Sequence, residues 1–117
     1  RDVLGSRGLG DVYKRQGGYR FKDLEIDYAR RLVRVREKEI KLTQTEYNIV
    51  ALLSQHAGRV LTYASIIQAV WGSSDAGSIK KLQVNMANIR KKLGSRPGEK
   101  NYIVNELGVG YRMQDES

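Results

Sequence analysis

Along this chain the spacing of apolar residues changes, and each change marks an element. Between residues 19 and 41, Phe21, Leu24 and Ile26, then Leu32, Val33 and Val35, alternate with charged residues. That is the period of a sheet with one wet face, and it predicts three or four short antiparallel strands. Residues 27–31 supply the turn between them, and Glu37-Lys38-Glu39 a second, tighter turn leading into Ile40. At Leu42 the period lengthens. Thr43 can cap a helix and Glu46 can reach back to the Thr43 amide. Tyr47, Ile49, Val50, Leu53 and Ala57 supply the inward face, and Gly58 suits a left-handed stop, with His56 beside the terminal carbonyls. Val60-Leu61-Thr62 is a short extended piece ending in another threonine cap. A second helix follows, with Ile66, Ile67, Val70 and Trp71 inward and Gly72 closing it. Trp71 is either a core anchor or a donor whose indole N–H reaches a phosphate.

From Ser78 to Leu93 the helical period is clearest. Leu82, Met86, Ile89 and Leu93 fall on one stripe at about 100° per residue. Opposite stand Lys80, Val84, Ala87 and Lys91, flanked by Lys81, Gln83, Asn88 and Arg90, and the segment contains no acidic residue. A solvated helix gains support from opposite charges three or four residues apart. This one forgoes that support, as a helix built to lie in an anionic groove would. Residues 94–100, with the sole proline, break the helix. Tyr102–Leu107 and Tyr111–Met113 then form two strands, joined through Gly108-Val109-Gly110, where glycine permits positive φ and a tight hairpin. The order predicts an α+β fold: an N-terminal antiparallel β-sheet, a three-helix helix–turn–helix core, and a C-terminal β-hairpin wing.

The ends differ from this pattern. Residues 1–18 are glycine-dense and aperiodic, and are set apart as a disordered or foreign segment, although Arg1, Arg7, Lys14 and Arg15 could make a basic arm. The domain is placed at residues 19–113, with an acidic tail at 114–117. The 117 residues carry a net charge of +8, of which residues 1–18 hold +2, so residues 19–117 remain at +6. That balance favours a polyanionic partner. A membrane is excluded as that partner, because no basic helix bears a bulky aromatic face and no apolar run nears the ~18 residues of a span. Cysteine is absent and His56 is the only histidine. With no nucleophile–base pairing and no glycine-rich phosphate cradle, neither enzymatic activity nor a cofactor or metal is expected.

Five motifs occur in order at compact spacing: Leu42-Thr43-x-x-Glu46-Tyr47, Gly58-x-Val60-Leu61-Thr62, Val70-Trp71-Gly72, Ile89-Arg90-x-Lys92-Leu93 and Gly108-x-Gly110-Tyr111-Arg112. Over residues 20–113 the chain strongly resembles the winged-helix effector domain of OmpR/PhoB-type response regulators. Residues 57–62 and 106–112 look most like the potassium-transport branch of that family. The resemblance implies a four-stranded N-terminal sheet and a recognition helix, Ser78–Leu93, in the major groove of double-stranded DNA. It implies a wing that enters the neighbouring minor groove around Val109, and a loop at 72–77 that meets RNA polymerase. In a full-length cytoplasmic regulator it further implies a receiver domain, a sensor kinase, and a homodimer whose effector domains bind direct-repeat half-sites. The sequence holds no doubly wound region for a phospho-accepting aspartate, so an isolated effector domain or a truncated product is expected. The remaining alternatives are the DNA-binding part of a membrane-anchored one-component regulator and a winged-helix protein or RNA docking module.

Charge and shape divide the expected contacts. Lys80, Lys81, Arg90, Lys91 and Arg112 are candidates for phosphates, which give affinity without sequence. Gln83, Val84, Ala87 and Asn88 are candidates for base edges. Asn and Gln suit adenine, and Val84 and Ala87 suit thymine methyls, so the half-site should lean to A/T. Relatives often carry arginine or histidine at 87 and 88, and an arginine within 63–65, which this chain lacks. Structural alternatives exist for three residues. Tyr111 packs the wing on the core, Arg112 pairs with Glu106, and Lys92 snorkels beside the buried stripe.

Overall fold

Two antiparallel sheets flank three helices in the computed structural model, which describes residues 17–72, 77–94 and 102–115. The order is β1 (Gly18–Phe21), β2 (Leu24–Asp27), β3 (Leu32–Val35), β4 (Lys38–Glu39), α1 (Gln44–Gln55), β5 (Val60–Thr62), α2 (Tyr63–Trp71), α3 (Ser78–Leu93), β6 (Ile103–Glu106) and β7 (Gly110–Met113).

The first sheet runs β1-β2-β3-β4. Its register aligns Tyr19, Ile26 and Val33 in one row facing the core and Arg20, Glu25, Arg34 and Glu39 in a row facing water. The alternating signs of the outer row suit cross-strand pairing, and Arg20 lies 3.3 Å from Glu25. One expectation is corrected here. Lys38 and Glu39 are strand β4, not a turn. The reversal falls at Arg36 and Glu37, which both adopt positive φ (54° and 67°). A two-residue hairpin demands that conformation because it matches strand twist. Neither side chain signals it. The carbonyl and carboxylate of Asp23 hold Arg36 in place, at 3.0 Å from its N–H and 3.3 Å from its Nε.

Both ends of the described residues are tied into the fold. Gly18 already pairs with Asp27, and a Cβ there would lie 2.3 Å from the Ile26 carbonyl oxygen. At the other end Gln114 is tied in: its amide donates to the Tyr102 carbonyl at 2.9 Å, and the Tyr19 hydroxyl donates to its own carbonyl. Residues 1–16 and the final two of the tail lie outside the described residues.

Most helix ends match their sequences, but Gly58 does not stop α1: the helix ends at Gln55 with His56 as its cap, and Gly58, at positive φ (89°), donates its amide to the Met113 carbonyl at 2.8 Å. Thr43 and Glu46 form the reciprocal capping box of α1, at 3.1 and 3.0 Å. Thr62 caps α2 by accepting from the Ser65 amide. Gly72 and Gly94 take the left-handed conformation that ends α2 and α3. The core gathers Ile49, Val50 and Leu53 of α1, Ile66 and Ile67 of α2, the α3 stripe, and Ile103, Tyr111 and Met113 of the wing.

The second sheet runs β5-β7-β6. The short piece after α1 is therefore a third strand of the wing, pairing Leu61 with Tyr111 and Thr62 with Gly110. This gives the two wing glycines different tasks. Gly108 supplies positive φ (76°), whereas Gly110 supplies space, since a Cβ there would lie 1.8 Å from the Leu61 carbonyl oxygen. Gly110→Ala should lower urea-measured stability by about 3 kcal/mol, the upper range for overpacking against unyielding backbone. Gly108→Ala should cost about 1–2 kcal/mol, the penalty of a left-handed Cβ. Equal losses would show that close approach to β5 is not what selects glycine at 110.

Candidate nucleic-acid interface

The α3 stripe fixes how the helix is rotated, and so which side chains face outward. Leu82, Met86, Ile89 and Leu93 are buried. Lys80, Lys81, Gln83, Val84, Ala87, Asn88 and Lys91 are all exposed, Val84 by 51%. Seven of the ten expected contact residues thus share the open surface of one helix. Among the described residues, no acidic side chain pairs with Lys80, Lys81 or Lys91. Lys81 lies with its Nζ 5.5 Å above the ring of Trp71. That tryptophan is half-buried, so it serves α3 as a platform as well as packing on the core.

Arg90 behaves differently from its lysine neighbours. Its Nη2 donates to the Ile103 carbonyl at 3.2 Å, and its guanidinium carbon lies 5.8 Å from the centroid of Tyr111. Its Nε is buried with no acceptor among the described residues. The side chain is committed to the wing, not spread toward solvent. Arg112 pairs with Glu106 at 3.0 Å, so its charge is partly answered within the wing, as expected for the structural alternative. Tyr111 is buried and meets Tyr63 edge-on, with centroids 5.6 Å apart. Burial pushes its hydroxyl pKa up, with Tyr63 adding to the rise and Arg90 opposing it.

Val109 stands at the wing tip, 50% exposed, and its carbonyl accepts the Tyr63 amide at 3.1 Å. Beside it Leu107 is 83% exposed, a residue the sequence reasoning missed. Its position after Glu106 in an apolar strand masked it. Only the turn geometry shows that it points away from the core. Ile79, 47% exposed in the first turn of α3, was missed as well. Loop residues 73–76, expected to meet RNA polymerase, lie outside the described residues. A groove of about 460 Å³ lies between the β2–β3 turn, α1 and α2, lined in part by Tyr28, Arg31 and Tyr47. Its lining residues come neither from α3 nor from the wing. Among the described residues no acidic, histidine or cysteine cluster could hold a metal, and no helix is long and apolar enough to cross a membrane.

Residues 37–113 match the family model described as transcriptional regulatory protein, C terminal. The chain belongs to this family. It is 33% identical over 94 residues to the KDP operon transcriptional regulatory protein KdpE of Escherichia coli (strain K12), covering 80% of this chain and 42% of that protein. The chain therefore spans less than half the length of that relative. Its fold is similar to response regulator DrrB, an OmpR/PhoB homolog of Thermotoga maritima, with a TM-score of 0.78 and 26% identity over 97% of this chain and 57% of that one. It is also similar to the DNA-binding domain of response regulator AdeR in complex with an intercistronic region. There the TM-score is 0.67 at 25% identity, covering 82% of this chain and 97% of that one. The architecture is the winged helix of OmpR/PhoB-type effector domains.

In this family member Lys92 does more than snorkel. Its Nζ lies 2.7 Å from Oε1 of Glu46, whose side chain is only 4% exposed. The carboxylate that closes the α1 capping box thus also anchors the last turn of α3. Burial, the largest influence, raises the Glu46 pKa. The Lys92 hydrogen bond and charge, with the Thr43 bonds, outweigh it and hold the carboxyl below its ordinary 4.5. A depressed folded pKa adds stability that is full above the unfolded value and fades as pH falls through the folded one. Lys92→Met should lower stability at pH 7 by about 2 kcal/mol, less than for a fully buried pair because Lys92 is partly exposed. It should also flatten the acid-side loss between about pH 5 and pH 3, because burial then acts with fewer opponents. Urea titrations across that range check both, and an acid limb as steep in the variant as in the parent would contradict the assignment.

Proposed function

We propose that this chain is the DNA-binding effector domain of a two-component response regulator, acting on transcription in the cytoplasm, with potassium transport as the process its KdpE relative suggests. The observation that carries the reading is the outer face of α3. It offers exposed cations, Lys80, Lys81 and Lys91, with no acidic partner among the described residues, interleaved with amides and small apolar groups. An α-helix fits the major groove, where Gln83, Val84, Ala87 and Asn88 would meet base edges and Lys80, Lys81 and Lys91 the flanking phosphates. Val109 at the wing tip would lie along the adjoining minor groove, with Arg112 nearby. The side chains Asn88 and Gln83 favour adenine, and Val84 and Ala87 the thymine methyl, so an A/T-leaning half-site is expected. In the longer protein a receiver domain, answering to a sensor kinase, would pair two effector domains on direct repeats, and loop 72–77 would face RNA polymerase.

In vitro selection of bound duplexes from random DNA tests the core of this reading. A/T-rich half-sites in direct repeat are expected; guanine-dominated half-sites, or no enrichment, would overturn it. Two variants then separate the roles. Lys80→Ala should weaken binding to all duplexes alike and reduce the salt slope by about one unit. Asn88→Ala should leave that slope intact while relaxing preference at one adenine by about 1–3 kcal/mol. Titrations at several salt concentrations, on selected and scrambled duplexes, distinguish the two.

A further inference from the structure

Arg90 and Lys91 are adjacent in α3, yet only Lys91 reaches outward. The Arg90 head is spent on two strands of the wing: a hydrogen bond to the Ile103 carbonyl in β6 and a position over the ring of Tyr111 in β7, 5.8 Å from its centroid. The linkage continues. Tyr111 presents its ring to Tyr63 at 75°, and the Tyr63 amide binds the carbonyl of Val109 at the wing tip. A route of direct contacts therefore runs from the recognition helix, through Arg90, to the tip of the hairpin.

We propose that Arg90 is a positioning residue that registers the wing against the recognition helix, and not a phosphate contact. The proposal rests on the DNA-binding reading above. Three features of the side chain support it. Its Nε is buried without an acceptor among the described residues, a cost that a side chain free to reach phosphate would avoid. Its planar head meets the face of a ring and a carbonyl at the same time, a pairing that the several donors of a guanidinium fork allow and the single ammonium of lysine does not reproduce. Its partners are backbone and a neutral ring, so its charge adds little to the wing beyond orientation. Helix and wing would enter two grooves of one duplex, and their separation must match the groove spacing. A wing free to swing on the helix would lose part of its contact to the entropy of being ordered on binding.

Arg90→Lys and Arg90→Met in the full chain test this on a selected duplex. Lysine preserves charge for a phosphate but not the planar fork, so the two roles give opposite results. Positioning requires both variants to bind about tenfold more weakly, the scale of one lost contact of this kind, with the parental salt slope. Hydroxyl-radical protection should fade under the wing and persist under α3. In DNA-free protein, amide hydrogen exchange of Tyr63 and of β6–β7 should quicken, while Ile49 and Val50 of α1 keep parental rates. The proposal is overturned if Arg90→Lys binds as the parent does while Arg90→Met loses about one unit of salt slope. Parental exchange in the wing, or faster exchange throughout α1 as well, would overturn it equally. A parent protein that binds no duplex would refute the proposed function, and the exchange rates would then decide the positioning role alone.

Discussion

Burial of one face of α3 is the constraint on which the molecule depends. Four side chains, Leu82, Met86, Ile89 and Leu93, are almost wholly removed from water. Each contributes about 1.5–3 kcal/mol by leaving water, before the chain entropy it costs to order them. That burial is what holds a helix whose other features disfavour it. Its first turn has no acidic residue, and Lys80 and Lys81 stand near the positive end of its dipole. Its outer lysines gain no intrahelical ion pair. The apolar face fixes the rotation of the helix, and the rotation assigns the polar face to solvent. The same constraint therefore stabilises the fold and presents the surface that would meet DNA.

What the chain disclosed beforehand followed from distance along it. The α3 stripe, the threonine caps at 43 and 62 and the glycine stops at 72 and 94 are all local. A period or a cap involves residues within one or two turns, so it is visible without tertiary structure. The alternation of Phe21, Leu24 and Ile26 gave the inner face of the first sheet for the same reason, and the structure adds Tyr19 to it. The hidden parts were pairings across many residues. Lys92 binds Glu46, 46 positions away, and no feature around Lys92 names that partner. Val60–Thr62 pairs with β7, about fifty positions on, and its sequence marked it as extended without naming that partner. The Arg36–Glu37 turn escaped for a different reason, since neither residue favours positive φ and tertiary contacts impose it.

Charge alone misranks the basic residues of α3, and burial corrects the ranking. Five cations lie in sixteen residues, and composition treats them alike. The core divides them. Lys92 turns toward Glu46 and Arg90 toward β6 and Tyr111, because both flank the buried stripe at its closest approach to neighbouring elements. Lys80, Lys81 and Lys91 keep their heads in water, with Lys81 resting on Trp71. Two cations are therefore tied into the fold, and three leave their charge in solvent. A net charge of +8 does not separate the two kinds.

The wing follows a different logic from the helix. Its tip carries Leu107 and Val109 and no free cation, while Arg112 is held by Glu106. A phosphate would gain little there. Exposed apolar side chains gain from leaving water against sugars and base edges, which a minor groove offers at close range. Such contact is weak for each residue and sensitive to distance, so it contributes only if the hairpin is held at a fixed height. That height is set by β5, which locks Gly110 against Leu61, and by the Tyr63 amide on Val109. On the proposed DNA-binding reading, the wing would add recognition by shape to the base and phosphate contacts of the helix, and a stiff hairpin is the condition for that addition.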